Sequence, residues 1–387
     1  MADSQPTPGQ PGAWAIALDG GTTNTRARLL HGPQIVATSR RAVGVRDTIL
    51  GDPGQPAPPV LASSSSSASA APGQPHRDRL VRAVREVVEE VARARVPPAQ
   101  TPRAGVDAGT RVRAEFIVAA GMLSSEVGLV AVPHVPAPAG LDELARGVAV
   151  VSLPEVAATP IYVVPGIRTP PAEGPDGWFE ADVMRGEECE TQGAFTALAA
   201  DGQIGPGQWT VFLWPGSHTK LVEVDPSGRI TRSHTTLAGE LIQAVARQTI
   251  LAASLPEALP DDTDPDAVAA GARAVEREGF GRAAFLVRIA ALTGSLDSRS
   301  RASFWIGAAV AADVLGLARH RILMQDRPVW VGGRQPLRAL YAAELARRHR
   351  GPVVPLDDPL AESASALGAC AIAARRVQLD RSHRPTG

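Results

Sequence analysis

One pattern in this chain constrains its fold more than any other. An apolar run breaks at a small-residue turn, returns as a second run and turns again, and the whole unit recurs about 195 residues later. The first copy, Trp14 to Ser39, reads WAIALDGGTTNTRARLLHGPQIVATS. The second, Trp209 to Thr235, reads WTVFLWPGSHTKLVEVDPSGRITRSHT. Laid over each other, Trp14 falls on Trp209, Leu18 on Leu213, Gly21 on Gly216 and Thr22 on Ser217. Each copy predicts strand, tight turn, strand, turn, strand. Two such units, each opening half of a 387-residue chain, predict two related α/β domains facing each other.

The turns themselves suggest chemistry. Glycine at a hairpin tip lets backbone amides approach an anion without a Cβ in the way. In the first copy Asp19 stands beside Gly20, Gly21, Thr22 and Thr23. A lone carboxylate there suits hydrated Mg²⁺, which takes few protein ligands and keeps phosphate oxygens and water. The same pattern also serves as an ordinary hairpin. Its repetition, and two compositional survivors, favour a phosphate site. Of 39 Lys and Arg, only Lys220 is lysine, and Asn24 is the single asparagine; both sit in equivalent loops of the repeat. An ammonium is a compact point charge where guanidinium is a planar fork, so Lys220 and Asn24 are read as site residues.

Bulk properties exclude several classes. A net charge of −1, with both signs spread along the chain, argues against a nucleic-acid or polyanion surface. Two distant cysteines, Cys189 and Cys370, indicate neither a disulfide framework nor a zinc cluster. No apolar run approaches the roughly 20 residues of a membrane span, and the opening residues lack a signal-peptide pattern. A cytoplasmic protein without nucleic-acid or membrane partners is therefore expected, with homo-oligomerisation open.

Taken in order, residues 1–12 read as a disordered tail and 13–205 as the N-terminal domain. Within it, 51–75 is a Gly/Pro/Ser/Ala-rich segment too poor in apolar surface to order itself. A helix over Arg79–Arg95 follows from the spacing of Leu80, Val84, Val87, Val88 and Val91. A strand over Glu115–Ala120 leads into GMLSSEVG, where Ser124 and Ser125 either bind a polyol or cap a turn. Asp182 to Glu190 reads as the start of a helix running to about Ala200. Arg185 there suits a bidentate hold on a carboxylate, and Glu187 or Glu188 suits a general base. The C-terminal domain is expected over 206–378, with a helical insertion over about 239–300 and a polar tail at 379–387. His218 lies in the second turn. Gly332-Gly333, ending a strand, is read either as a surface for an adenine or ribose or as a plain strand-to-helix turn. The spacing Gly279-x-Gly281-x-x-Ala284 follows no strand and is discarded as a dinucleotide fingerprint.

In this order, LDGGTTNTRARL, AAGMLSSEVGL, DVMRGEECETQGA, WPGSHTKLVEVD, TLAGELIQAV and WVGGRQPLRALY resemble the motifs of 2-dehydro-3-deoxygalactonokinases. The resemblance runs from Trp14 to the last helix, leaving out both tails and 51–75. It implies two facing RNase H-like domains, as in the sugar-kinase, Hsp70 and actin group, with a helical insertion in the second. It further implies Mg²⁺- and ATP-dependent phosphorylation of 2-dehydro-3-deoxy-D-galactonate at O6, in galactonate breakdown. On that resemblance Asp19 to Thr23 is the first phosphate loop, Gly216 to Lys220 the second, and Gly332-Gly333 the adenosine motif. Asp19 holds Mg²⁺ through water, and Asn24, Arg26, Ser124, Ser125, Arg185 and Glu188 line the sugar-acid pocket. Glu187 is assigned as base, with Asp19 and Lys220 completing the catalytic set. The alternatives are a kinase of the gluconate epimer and a nucleotide or polyphosphate hydrolase of the same fold.

Overall fold

The computed structural model describes residues 14–45, 74–94 and 114–382. The expected tail at 1–12 and the segment 51–73 lie outside these residues, whereas 74 and 75 open a helix, Gln74–Ala92 (α1). The chain divides into two units. The first comprises Met1–Arg168, Val183–Ala200 and Ser363–Gly387; the second comprises Thr169–Asp182 and Asp201–Glu362.

In the first unit the repeated stretch forms β1 (Trp14–Gly20), β2 (Thr25–His31) and β3 (Gln34–Arg41). With β4 (Phe116–Gly121), β5 (Val135–Pro136), β6 (Ala149–Val151) and β7 (Ile161–Val163) numbered in chain order, the main sheet runs β3-β2-β1-β4-β7-β6. β1 is antiparallel to β2 and parallel to β4. Period-two alternation divides its side chains. Ile16 and Leu18, with Ala27 and Leu29 of β2, join a buried cluster with Leu80, Val84, Val87, Val88 and Val91 of α1. Those five helix positions recur on one stripe, which is why that segment is helical. Ala17 and Asp19, opposite Arg28 and Arg26, face the other way.

The second unit repeats the plan. After β8 (Ile167–Thr169) and β9 (Asp182–Met184), the strands of its sheet are β10 (Thr210–Trp214), β11 (Thr219–Val224), β12 (Ile230–Thr236), β13 (Val329–Val331) and β14 (Val353–Pro355), in the order β12-β11-β10-β13-β14. Here too the first strand is antiparallel to the second and parallel to the fourth. With α2 (Leu141–Gly147) and α3 (Glu187–Ala200) in the first unit, four α-helices lie between β12 and β13: α4 (Ala238–Gln248), α5 (Pro265–Glu278), α6 (Phe280–Thr293) and α7 (Ser298–Leu317). α7 and α8 (Leu337–Ala346) bury Ile306, Val310, Val314, Tyr341 and Leu345 against Val211, Leu213, Leu221, Val329 and Val331. Phe212, Trp214, Lys220 and Trp330 point to the opposite face by alternation.

The division differs from a single boundary near 205. The last helix, Asp358–Ser382, continues past the expected tail boundary at 379, and from Ser363 onward it belongs to the first unit. A Cβ on Gly193 or on Gly368 would overlap backbone carbonyls of Ala364 and Cys189 respectively. Only glycines allow the helix Glu187–Ala200 (α3) to lie that close to the last one. Residues 169–182 belong instead to the second unit. There the Ser233 amide donates to Thr169 Oγ1 at 3.1 Å, and Arg321 pairs with Glu180 at 2.5 Å. No helix among the described residues is long and apolar enough to cross a membrane.

Candidate active site

In the first unit, Gly20 and Gly121 are parallel register partners at the ends of β1 and β4. Gly121 has φ +69°, and a Cβ there would lie 2.6 Å from the Gly20 carbonyl oxygen and 3.2 Å from Asp19 Oδ1. Glycine is therefore required, and no side chain from this position crowds the Asp19 carboxylate. A Cβ on Gly20 would overlap the Leu123 side chain. The turn is braced from behind by Val43–Val45. Thr25 Oγ1 donates to the Val43 carbonyl at 2.7 Å, and a Cβ on Gly44 would overlap the Thr22–Thr23 peptide.

The Gly21 amide does not project outward as expected of a phosphate loop. It donates to the Asn24 carbonyl at 2.8 Å and closes the turn. Asn24 likewise has local partners, its Nδ2 donating to Thr23 Oγ1 and its Oδ1 accepting from Arg40 at 2.8 and 3.0 Å. Thr22 and Thr23 remain at the accessible tip. Arg26 is the register partner of Asp19, so both side chains share one sheet face.

The segment Asp182–Glu190 departs from the expected continuous helix. Asp182–Met184 is a strand, and α3 begins only at Glu187. Gly186, at φ +117°, breaks the chain direction, and a Cβ there would lie 3.3 Å from Gly121 Cα. Two glycines at positive φ thus bring the end of β4 against the start of α3. The Arg185 amide donates to Glu187 Oε2 at 3.2 Å, and the Gly186 amide to Glu188 Oε1 and Oε2 at 2.9 and 2.8 Å. These carboxylates satisfy amides at the helix start that would otherwise lack partners.

Arg185 was read as a carboxylate clamp, but its guanidinium is used internally. Nη1 donates to Ser124 O and Oγ at 2.7 and 2.6 Å, and Nη2 to Val132 O at 2.9 Å, with His134 Nδ1 at 3.3 Å. Burial holds its pKa below the ordinary arginine value. Ser124 and Ser125 donate to the carbonyls of Gly121 and Met122, so both hydroxyls serve the turn, the capping alternative. Glu188 is 0% exposed, and burial, reinforced by Glu187, pushes its carboxyl up to about 7. A buried carboxylate bound to an amide is not open to a sugar, which removes Glu188 from the substrate-contacting set. Glu187 is only half-buried, and it follows Gly186, which meets Gly121 at the end of β4.

Two neighbours were missed in the sequence. Burial, Glu187 and Asp19 raise the Glu190 carboxyl well above its ordinary value, while Arg28 opposes that shift. Arg28, 5% exposed, lies on the Asp19 face of β2. The alternation of Arg26 and Arg28 through an otherwise apolar strand was the available signal.

In the second unit, Lys220 is the register partner of Trp214 and is 5% exposed. Its Nζ donates to Thr235 Oγ1 at 2.7 Å, which in turn donates to Asp182 Oδ2 at 2.9 Å. Gly216 and Ser217 lie under the start of α4. A Cβ on Gly239 would overlap the Gly216 carbonyl, and the Glu240 amide donates to Ser217 O at 3.0 Å. His218 turns aside to Glu240, 3.2 Å away. Gly332 and Gly333 wrap the same turn: a Cβ on Gly332 would overlap the Trp214 ring, and one on Gly333, at φ +78°, would lie 2.6 Å from Pro215 O. Close backbone approach thus brings Gly216, Ser217, Lys220, Gly332 and Gly333 into one neighbourhood.

Repeated β-sheet topology, a glycine turn after the first strand of each, an aspartate at one turn and a lysine at the other define an actin-like ATPase fold of the sugar-kinase type. The family model for 2-keto-3-deoxy-galactonokinase matches residues 19–372, and the chain belongs to that family. It is similar to the 2-dehydro-3-deoxygalactonokinase of Escherichia coli (strain K12), 27% identical over 202 residues, 52% of this chain and 61% of that protein. It is also similar to a candidate 2-dehydro-3-deoxygalactonokinase, DgoK1, of Rhizobium meliloti (strain 1021), 31% identical over 142 residues, 37% of this chain and 41% of that protein. These matches thus span less than two thirds of the curated relatives. The fold is shared with the crystal structure of a candidate 2-dehydro-3-deoxygalactonokinase from Sinorhizobium meliloti, at a TM-score of 0.62 and 21% identity, covering 93% of this chain and 98% of that one.

Proposed function

We propose that this chain transfers the γ-phosphoryl group of ATP to the terminal hydroxyl, O6, of 2-dehydro-3-deoxy-D-galactonate. The observation that carries this reading is the chain's one lysine, buried on the strand that leaves the second glycine turn. Family membership supplies the substrate class. Phosphoryl transfer needs mainly in-line positioning and neutralisation of developing charge. Lys220 supplies that charge at the phosphates, exchanging Thr235 Oγ1 for a phosphate oxygen. Thr22, Thr23, Gly216 and Ser217 supply hydrogen bonds, and Gly332-Gly333 a flat approach for the adenosine. Glu187 orients the acceptor hydroxyl and takes its proton. Arg185 acts as a positioning residue, holding the Ser124 turn and the start of α3 in register.

Asp19 would hold a hydrated Mg²⁺, and the lack of a side chain at Gly121 keeps a Cβ from crowding its Oδ1 at 3.2 Å. Among the described residues no group of three or more His, Cys, Asp or Glu is arranged to hold a metal directly. A single carboxylate with water and phosphate oxygens suits Mg²⁺ without such a group. When bound, the ion neutralises the β- and γ-phosphate oxygens.

The test is product identification. Incubation with Mg·ATP and the sugar acid, followed by ³¹P–¹H correlation spectroscopy, is expected to show phosphorus coupled to the C6 protons. Coupling to another position would overturn the assigned hydroxyl, and inorganic phosphate as the sole new species would make the protein a hydrolase.

A further inference from the structure

Three linked polar side chains of the second unit, two buried and one half-buried, have no part in the reaction as proposed. Tyr341, on α8 and 1% exposed, directs its Oη to Asp313 Oδ2 on α7 at 2.7 Å. The same oxygen lies 3.1 Å from Thr219 Oγ1 on β11. A phenol has one proton, and here it goes to the carboxylate, so the threonine hydroxyl donates to the phenol oxygen. The order is Thr219 to Tyr341 to Asp313. Burial raises the Asp313 carboxyl, while the Tyr341 hydrogen bond favours its charged form.

Placement gives this relay its significance. Thr219 is the first residue after the Gly216–His218 turn and immediately precedes Lys220. Strand alternation sends the two side chains to opposite faces, Lys220 away from the α7/α8 core and Thr219 into it. Tyr341 belongs to the helix that follows Gly332-Gly333. One phenol therefore joins the strand leaving one glycine turn to the helix following the other. Packing alone does not account for it. Phe, Val and Leu would fill the same space without withdrawing polar groups from water, each of which costs stability unless it is paired.

We infer that Thr219, Tyr341 and Asp313 form a positioning network that holds the Gly216–Lys220 turn in register for nucleotide phosphates. The inference rests on the proposed nucleotide site. The relay keeps the backbone at Thr219 fixed from the core side, leaving Lys220 free to change partner on the other side without loosening the turn.

The test uses the full chain with Thr219→Val, which keeps the side-chain shape, Thr219→Ser, which keeps the hydroxyl, and Tyr341→Phe. Affinity for Mg·ADP is measured by calorimetry, and KM for Mg·ATP and for the sugar acid separately. Thr219→Val and Tyr341→Phe are expected to weaken Mg·ADP binding and raise KM for Mg·ATP by about three- to tenfold, the equivalent of one hydrogen bond. KM for the sugar acid should stay unchanged, and Thr219→Ser should retain normal nucleotide affinity. The double variant should be no weaker than either single one, because both break one chain. Variants that only melt earlier while binding Mg·ADP as the unmodified protein does would overturn the network. Failure of the unmodified protein to bind Mg·ADP would overturn the nucleotide site itself, and the network with it. If Tyr341→Phe does not fold, Thr219→Val and Thr219→Ser decide the matter alone.

Discussion

The two glycine turns occupy equivalent places in equivalent sheets and carry residues of opposite charge. In each unit the turn joins the first two antiparallel strands, and the first strand also pairs with a parallel fourth. Asp19 lies on the sheet face away from α1, and Lys220 on the face away from α7 and α8. The first turn carries Asp19 at the end of the strand entering it, and its Gly21 amide is spent on closing the turn. The second carries Lys220 on the strand leaving it. The repeat therefore keeps the strand and turn plan, while single residues give each turn its own charge. On the proposed function, the carboxylate serves the metal and the ammonium serves the phosphates.

The largest expected effect comes from removing that polarity. Lys220→Ala is expected to lower the turnover number by about 100- to 1,000-fold, the scale for losing one preorganised charge at a transition state. Its stability cost should be about 1 kcal/mol, the loss of one hydrogen bond to Thr235. Near-normal turnover in a coupled ADP-release assay would remove Lys220 from the mechanism.

Next come the glycines that let backbone approach backbone in both units. Gly121→Ala and Gly333→Ala each force a Cβ to 2.6 Å from a carbonyl oxygen at positive φ. Each is expected to cost about 1–3 kcal/mol in urea unfolding. A similar cost at both sites would support matched turns. A cost below about 0.5 kcal/mol at either would show that the strand end relaxes.

How much of this was legible in the sequence depends on what kind of contact was involved. The repeat, the glycines, Asp19 and Lys220 announce themselves because backbone geometry and a singular charge restrict residue choice. Arg185 was legible as important but not in its role, since two of its partners are the carbonyls of Ser124 and Val132, which leave no residue signature. Gly186 was visible as an anomaly at a helix start, yet its reason is the approach to Gly121, far away in the chain. Placing the last helix with the first unit depends on Gly193 and Gly368 meeting backbone, again without a side-chain pattern. The Thr219–Tyr341–Asp313 relay joins residues 122 and 28 positions apart, beyond the reach of local periodicity.

Arg185 also separates the two turns functionally, since its unit supplies the acceptor side in the proposed reaction. Arg185→Lys keeps the charge but loses the fork. It is expected to lower stability by about 1–2 kcal/mol, leaving buried carbonyls short of a donor, and to change KM for the sugar acid less than about twofold. A tenfold rise in that KM with unchanged unfolding would restore the carboxylate clamp.

A pH dependence is centred on the first unit. Glu188 has a folded-state pKa of about 7 against an ordinary 4.5. Between those values the folded chain binds more protons than the unfolded chain, so this contribution is present at low pH and lost as pH rises through 7. Glu190 is shifted in the same direction. Glu188→Gln should therefore flatten, without abolishing, the fall in unfolding free energy between about pH 5 and 7.5. An unchanged slope would mean that Glu188 is not the titrating group.

The most direct test of the central claim is steady-state ADP release by the purified protein with Mg·ATP. It compares 2-dehydro-3-deoxy-D-galactonate, its gluconate epimer and no sugar acid. The account predicts release that depends on the galactonate compound; equal rates with both epimers would keep the kinase and widen its substrate class. Release at the same rate without any sugar acid would contradict the account, leaving a nucleotide hydrolase in which the acceptor side has been misread.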